Sequence, residues 1–199
     1  MRKIPTIFVR AGFGRVSHVT PERTHDAWWV FDGEGVATRK YDGTCVMIDG
    51  LGRWWARRMV KAGKPEPEGF VTVDYDAETG ITVGWEPIER SPFARFHAEA
   101  LEQAAARAGM TAETWQAYPF EAGTYELVGE RINGNPEHVV GHRLIAHAAA
   151  ERIHLDADDM TYDGIKLAVT RLHAEWGVEG IVWHHPDGRM AKIKAKDFR

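Results

Sequence analysis

The sequence predicts an α+β fold built on antiparallel sheets and organised as a single domain over residues 1–199. Short runs rich in β-branched and aromatic residues recur along the chain, and tight turns of Gly, Asp and Pro separate them. This pattern favours antiparallel pairing over parallel crossovers. Two longer stretches carry apolar residues at helical spacing. No long linker interrupts the chain, so no separate C-terminal module is expected.

The predicted strands follow one another in chain order. Apolar pieces at 7–9 and 28–31 indicate short strands and loops at the N-terminus, and turn residues at 50–52, 78–80 and 186–188 indicate tight hairpins. The longer strands are expected at 36–40, 44–49, 53–60, 70–73, 81–85, 124–128, 143–147, 180–184 and 190–194.

Helices are predicted where the apolar spacing changes. Ser91 suits the N-cap of the first helix, Pro92 suits its first turn, and Gly109 suits its end. The second helix is expected at about 162–176, followed by Gly177 as its stop. A shorter helix is expected at 111–118.

The composition indicates the cellular compartment in which the protein is expected. No apolar run is long enough to cross a bilayer, and the N-terminus lacks the apolar core of a signal peptide, so no membrane association is expected. Cys45 is the single cysteine, which excludes an internal disulfide and fits a reducing compartment. We therefore expect a cytoplasmic protein.

Basic residues are clustered although the net charge is −4. Such local patches on an acidic chain suit a phosphate-bearing ligand, whereas the alternative is a solvated charged face. The two clusters are Arg53, Arg57, Arg58, Lys61 and Lys64, and Arg189, Lys192, Lys194, Lys196 and Arg199.

The element K-x-D-G, formed by Lys40, Asp42 and Gly43, lies at a predicted strand-to-turn junction. Asp-Gly favours a turn because glycine accepts a positive φ. A lysine held there can act as a nucleophile if its surroundings lower its pKa. The alternative is a plain hairpin with an exposed lysine.

Three later stretches contain charged residues that bear on this lysine. Glu126 lies in a strand whose alternation places Tyr125 and Leu127 on one face and Glu126 and Val128 on the other. Glu179 precedes an apolar β-rich run. Strand alternation would place Lys192, Lys194 and Lys196 on one face. The alternatives are a surface carboxylate, the end of a helix-to-strand turn, and a charged edge strand.

The order K-x-D-G, then E, then E-G-[IV]-V, then K-x-K resembles motifs I, III, IV and V of the covalent nucleotidyltransferase superfamily of DNA ligases, RNA ligases and mRNA capping enzymes. The flanking residues 126–129 and 192–198 are most similar to ATP-dependent RNA ligases, particularly the phage-type RNA ligase 1 branch. The resemblance spans about residues 36–198 and implies an antiparallel-sheet, ATP-grasp-like nucleotidyltransferase domain.

The resemblance implies a covalent reaction at Lys40. This residue would attack the α-phosphorus of ATP and form a lysyl-N-AMP. The like charges of Lys192 and Lys194 would help keep the amine unprotonated, and both would stabilise charge on the leaving pyrophosphate.

The resemblance also implies how the nucleotide is held. Glu126 would accept hydrogen bonds from the ribose hydroxyls, Asp42 would orient the motif I turn and contact the reacting groups, and Glu179 would help place Mg²⁺ or Mn²⁺. A basic residue after motif I would be either Arg57 or Lys61, and the sequence does not choose between them.

Histidines at two places are candidates for base stacking or metal binding. His147 falls where the family has an aromatic residue stacked on the base, and it is either that stacking residue or a satisfied core histidine. His184 and His185 look like a metal pair, but adjacent strand residues face opposite ways, so metal binding is not expected.

DNA ligases and capping enzymes carry a C-terminal OB module with motif VI, and no such module is expected here. An N-terminal cation such as Arg10 or Arg15 is a possible substitute. The implied function is ATP-dependent sealing of a 5′-phosphate to a 3′-hydroxyl of RNA by a monomer, with end-healing proteins as possible partners. The alternatives are an adenylyltransferase or ligase acting on DNA ends, and a nucleotide- or RNA-binding protein without turnover.

Overall fold

The computed structural model describes residues 3–12, 14–77, 79–111 and 120–198, and its chain divides into two units. We call Met1–Lys3 with Asp42–Ala149 the large-sheet unit, and Ile4–Tyr41 with Ala150–Arg199 the small-sheet unit. Some residues named above lie outside the description: Glu78, Arg199, the side chain of Arg15, and positions 112–118 of the predicted third helix.

The strands and helices are numbered in chain order. The strands are β1 (Phe8–Ala11), β2 (His18–Arg23), β3 (Val36–Lys40), β4 (Thr44–Ile48), β5 (Trp54–Val60), β6 (Val71–Asp76), β7 (Ile81–Pro87), β8 (Gly123–Gly129), β9 (His142–Ala146), β10 (Gly180–His184) and β11 (Met190–Lys194). The helices are α1 (Trp28–Phe31), α2 (Ala94–Arg107) and α3 (Tyr162–Trp176). No helix among these residues is long and apolar enough to cross a membrane.

The large-sheet unit contains a six-stranded antiparallel sheet in the order β6-β7-β5-β4-β8-β9. Alternate residues of its central strands point to one face, where α2 covers them. Val46, Tyr125 and Leu127 are buried there together with Ala100 of the helix. Glu126 and Thr124 lie on the opposite face of β8, next to the buried side chain of Val128.

The small-sheet unit contains a three-stranded antiparallel sheet in the order β11-β10-β3 and a two-stranded sheet of β1 and β2. Ile181 and Trp183 of β10 and Ile193 of β11 point to one face and pack with Ile165 and Val169 of α3. Because side chains alternate along a strand, Lys40, Gly180 and Lys194 belong to the other face.

Helix ends follow the sequence signals in part. Gly177 ends α3 in the left-handed conformation at φ +66°, and the hydroxyl of Thr161 accepts from the N–H of Gly164 at the helix start. Ser91 does not cap α2 itself: its hydroxyl accepts from the N–H of Phe93, one residue before the helix.

The antiparallel α+β architecture is confirmed, and most strands lie within two residues of their predicted bounds. One element was wrong, because Trp28–Phe31 forms a helical turn where a short strand or loop was expected. The hairpin alternative for Lys40 is also wrong. β3, which ends at Lys40, pairs with β10, whereas β4 pairs with β5 and β8, so β3 and β4 do not form a hairpin.

Candidate active site

Strand pairing in the small-sheet unit brings two lysines to neighbouring positions. Gly180 lies opposite Lys40 on β3 and opposite Lys194 on β11. Opposed residues share a sheet face, so both lysine side chains lie on the Gly180 face. A Cβ at Gly180 would meet the carbonyl oxygen of Ile193 and lie 2.8 Å from the Cα of Lys194. The approach of β11 therefore requires glycine here.

The carboxylate of Glu179, one residue before β10, joins these lysines. Nζ of Lys40 donates to Oε2, and Nζ of Lys194 donates to Oε1. Burial alone would raise the pKa of Glu179, but the positive charge of Lys40 and the hydrogen bonds from both lysines outweigh it, so the pKa lies below its ordinary value. Glu179 is therefore ionised at neutral pH and offsets one of the two positive charges.

Lys192 shares the face of Lys194 because the two residues are two positions apart on β11. Its backbone N–H donates to the carbonyl of Pro5 at 2.9 Å, and its carbonyl accepts from the N–H of Ile7 at 3.0 Å. The outer side of β11 is thus covered at this position. The lysines are not placed there to protect an open edge.

The end of β11 differs from its prediction. The strand stops at Lys194, and Lys196 lies in a 3₁₀ turn at Ala195–Phe198, so the shared face predicted for Lys196 was wrong. In that turn Asp197 is 2% exposed, and its carboxylate accepts from the N–H of Lys194 at 2.9 Å and from the guanidinium of Arg10. Arg10 therefore forms an ion pair with Asp197. The sequence did not indicate Asp197, which holds the end of β11 through the N–H of Lys194.

Glu126 in the large-sheet unit is only 9% exposed, so the surface-carboxylate alternative is wrong. The predicted alternation is confirmed, with Tyr125 and Leu127 in the core and Glu126 on the opposite face. His147 follows β9, and its Nε2 lies 3.1 Å from Oε2 of Glu126 while its Nδ1 lies 2.9 Å from the hydroxyl of Thr124. Both ring nitrogens thus have partners.

The loop between β8 and β9 holds the Asp42-Gly43 segment. The side-chain amide of Asn133 donates to Oδ1 of Asp42 and to the carbonyl of Gly43, both at 2.9 Å. Oε1 of Glu137 accepts from the N–H of Asp42 at 2.8 Å. Sequence reasoning missed Asn133 and Glu137. The signal was the turn-forming run Asn-Gly-Asn-Pro at 133–136, followed by an acid.

Gly43 is required for a different reason from the one expected. Its φ is not positive. Its N–H donates to Oε1 of Glu126 at 3.1 Å, and an added Cβ would meet the carbonyl oxygen of Leu127 and lie 2.8 Å from both Cγ of Glu126 and Cγ1 of Val128. The close approach to β8 therefore excludes a side chain.

The basic cluster of residues 53–64 does not form one patch. Pairing through β4 places Arg57 on the same sheet face as Glu126. The next residue, Arg58, projects to the opposite face, where its guanidinium lies 3.9 Å from Glu86. Lys61 follows the end of β5 and is exposed. Of the two basic residues considered as alternatives, Arg57 and Lys61, Arg57 is the one that shares the Glu126 face.

The predicted site residues thus fall into two sets. The small-sheet unit brings together Lys40, Glu179, Lys192 and Lys194, and the large-sheet unit brings together Asp42, Arg57, Glu126 and His147, with Lys61 apart from them.

A resident metal fits these side chains poorly. Both oxygens of Glu179 already accept from lysine, so a metal ion on the remaining lone pairs would lie beside two cationic side chains. Within the described ranges, no three His, Cys, Asp or Glu residues are grouped to hold a metal ion. His184 contacts the hydroxyl of Thr38 while His185 contacts Glu34, so the two imidazoles have different partners.

Comparison with known proteins returns no matching family model and no matching curated protein. Solved structures of the Naegleria gruberi RNA ligase are similar to the chain. A mutant with AMP and Mn has 14% identity and a TM-score of 0.43, a mutant in the apo form has 15% and 0.41, and the enzyme with PPi has 15% and 0.38. The matches cover 96%, 98% and 97% of this chain and 60%, 61% and 59% of the ligase chains.

Proposed function

We propose that the chain is an ATP-dependent RNA ligase that forms a covalent AMP adduct on Lys40 and joins a 5′-phosphate to a 3′-hydroxyl. The observation that carries the proposal is the bridge of Glu179 between Lys40 and Lys194. A second cationic side chain beside a lysine favours the neutral amine that can act as a nucleophile, and it can also stabilise phosphate charge.

In the proposed first step, the ammonium of Lys40 releases a proton to solvent, and the neutral amine forms an N–P bond with the α-phosphorus of ATP. The bond from that phosphorus to the bridging oxygen breaks, pyrophosphate leaves with the electron pair, and the nitrogen passes its second proton to the carboxylate of Glu179, which accepts from it. Lys192 and Lys194, on the same sheet face as Lys40, would stabilise the negative charge that develops on the leaving group.

The large-sheet unit supplies the proposed contacts to the nucleoside. Glu126 already accepts from Gly43 and contacts His147, yet a carboxylate has about four lone-pair positions, so it has room for a ribose hydroxyl. His147 would stack on or lie beside the base, and Arg57 on the same face would contact phosphate. Asp42, held by Asn133, would orient the turn that follows Lys40.

Mg²⁺ or Mn²⁺ would enter with ATP as its complex, since Mg²⁺ is commonly bound through substrate phosphates. We assign no step to a metal fixed on Glu179. In the later steps, AMP passes from Lys40 to the RNA 5′-phosphate, and the 3′-hydroxyl then displaces AMP. The proposal treats residues 1–199 as one catalytic domain of the ATP-grasp-like nucleotidyltransferase type, acting as a cytoplasmic monomer, with end-healing proteins as possible partners.

The direct test is intact-protein mass spectrometry after incubation with ATP and Mg²⁺ or Mn²⁺. Wild-type protein should gain the mass of one AMP, and Lys40→Ala should not. Lys166→Ala, which removes an exposed lysine of α3, is the matched control and should label like wild type. An adduct that persists in Lys40→Ala would show that another residue is the nucleophile. Nucleotide binding without any adduct would favour the binding-protein alternative.

A further inference from the structure

The lysine face of the small-sheet unit carries a further cation, Arg152, which the sequence did not indicate. Residues 151–153 run beside β3 and form an isolated antiparallel bridge in which Arg152 lies opposite Thr38. The N–H of Arg39 donates to the carbonyl of Glu151 at 2.8 Å, and the N–H of Ile153 donates to the carbonyl of Ala37 at 2.9 Å. These two bonds flank the bridge and fix its register.

The register decides which way the Arg152 side chain points. In an antiparallel pair flanked by hydrogen bonds in this way, the two opposed side chains lie close together on one face. Thr38 is two residues before Lys40 on β3, so Arg152, Thr38 and Lys40 share that face. The row continues across the sheet through Val182 to Lys192.

Strand spacing gives the scale of this arrangement. Neighbouring strands are about 4.8 Å apart and residues two positions apart on a strand are about 6.7 Å apart, so the Cα atoms of Arg152 and Lys40 are about 8 Å apart. Three strand spacings, about 14 Å, separate Arg152 from Lys192 in the same row. Arg152 and the β11 lysines therefore lie on opposite sides of β3.

Arg152 also differs from its neighbour in its surroundings. Arg39 points to the other face, where its guanidinium lies 5.0 Å from the centre of the Tyr41 ring and 3.6 Å from the carboxylate of Glu151. The side chain of Arg152 is exposed and makes neither a hydrogen bond nor an ion pair with the described residues. An exposed guanidinium without such a partner is available to bind an anion.

We infer that Arg152 binds an internucleotide phosphate of the RNA strand beside the reacting end. The inference rests on the proposed function and adds a substrate contact to it. The β11 lysines are the cations assigned to the leaving pyrophosphate, whereas Arg152 stands across β3 from them at the exposed margin of the sheet. A polymer that approaches Lys40 over this margin would place its backbone against the guanidinium, which can bind phosphate through two hydrogen bonds.

The test measures binding of a single-stranded oligoribonucleotide by fluorescence anisotropy over a range of salt concentrations. Arg152→Ala should weaken binding about three- to tenfold, which corresponds to one exposed charge-assisted contact. The slope of log affinity against log salt should become shallower by about 0.7, because one fewer phosphate is neutralised. Arg152→Lys should restore part of both effects because it keeps the charge.

Arg171→Ala is the matched control, since Arg171 is an exposed arginine of the same unit and is paired with Glu175 at 2.8 Å. It should bind RNA like wild type. In strand joining, Arg152→Ala should raise KM for RNA with little change in kcat, while self-adenylation with ATP should match wild type.

Three results would overturn the inference: unchanged affinity and salt slope in Arg152→Ala, equal losses in Arg152→Ala and Arg171→Ala, or a loss of self-adenylation in Arg152→Ala. The last would assign the residue to ATP instead. A failure of the proposed function would be recognised by a different result: wild-type protein would form no AMP adduct, whatever the effect of Arg152 on RNA binding.

Discussion

Replacing His97 with Phe should remove one component of the pH dependence of stability between pH 6.5 and pH 4. His97 lies on α2, is 3% exposed, and packs edge-on against the ring of Trp54 with 4.5 Å between ring centroids. Its Nε2 has no hydrogen-bond partner among the described residues. Burial lowers the pKa of His97 from 6.5 to about 4, because the charged imidazolium would lose its hydration.

The sign and size follow from proton linkage. The folded state holds His97 neutral, whereas the unfolded state binds a proton below pH 6.5, so stability falls as the pH drops from 6.5 to about 4. Above pH 6.5 the group is neutral in both states and has no effect. At about 1.4 kcal/mol per pKa unit, the shift amounts to about 3 kcal/mol of unfolding free energy lost across this window.

The assay is urea unfolding followed by circular dichroism at a series of pH values. As the pH falls from 6.5 to about 4, the free energy of unfolding of His97→Phe should rise by about 3 kcal/mol relative to that of wild type. His154→Gln, at an exposed histidine, should follow the wild-type curve. Parallel pH profiles for wild type and His97→Phe would refute the argument that this buried imidazole resists protonation.

Three further predictions concern the proposed chemistry. Lys192→Ala and Lys194→Ala should each slow self-adenylation by on the order of ten- to a thousand-fold in labelling with α-labelled ATP, and Lys196→Ala, off the strand face, should matter less; equal mild effects would favour a solvated surface. Gly43→Ala should destabilise the chain by about 1–3 kcal/mol in urea unfolding because its Cβ would meet the carbonyl of Leu127, and wild-type stability would contradict that crowding. A pre-adenylated strand should be joined faster to an acceptor ending in ribose than to one ending in deoxyribose, and equal rates would point to DNA ends.

Local patterns account for much of the fold. The bounds of α3, β3, β10 and β11 were predicted to the residue, because helical spacing ended by Gly177 and short β-rich runs are signals carried within a few residues. The face of Glu126 followed from alternation alone. Where the local signal was ambiguous, as in the apolar piece Trp28–Phe31, length could not separate a strand from a single helical turn.

The sequence by itself also determined which residue types are available for the chemistry and in what order, from Lys40 to the lysines of β11. Only the tertiary structure decided that Gly180 lies between Lys40 and Lys194, that Asp197 accepts from the end of β11, and that Arg152 lies opposite Thr38 of β3. The physical reason is the sequence separation over which each effect acts. Side-chain alternation and turn preference act over a few residues, whereas the pairing of distant strands depends on which backbone groups and apolar faces the whole chain can bury together.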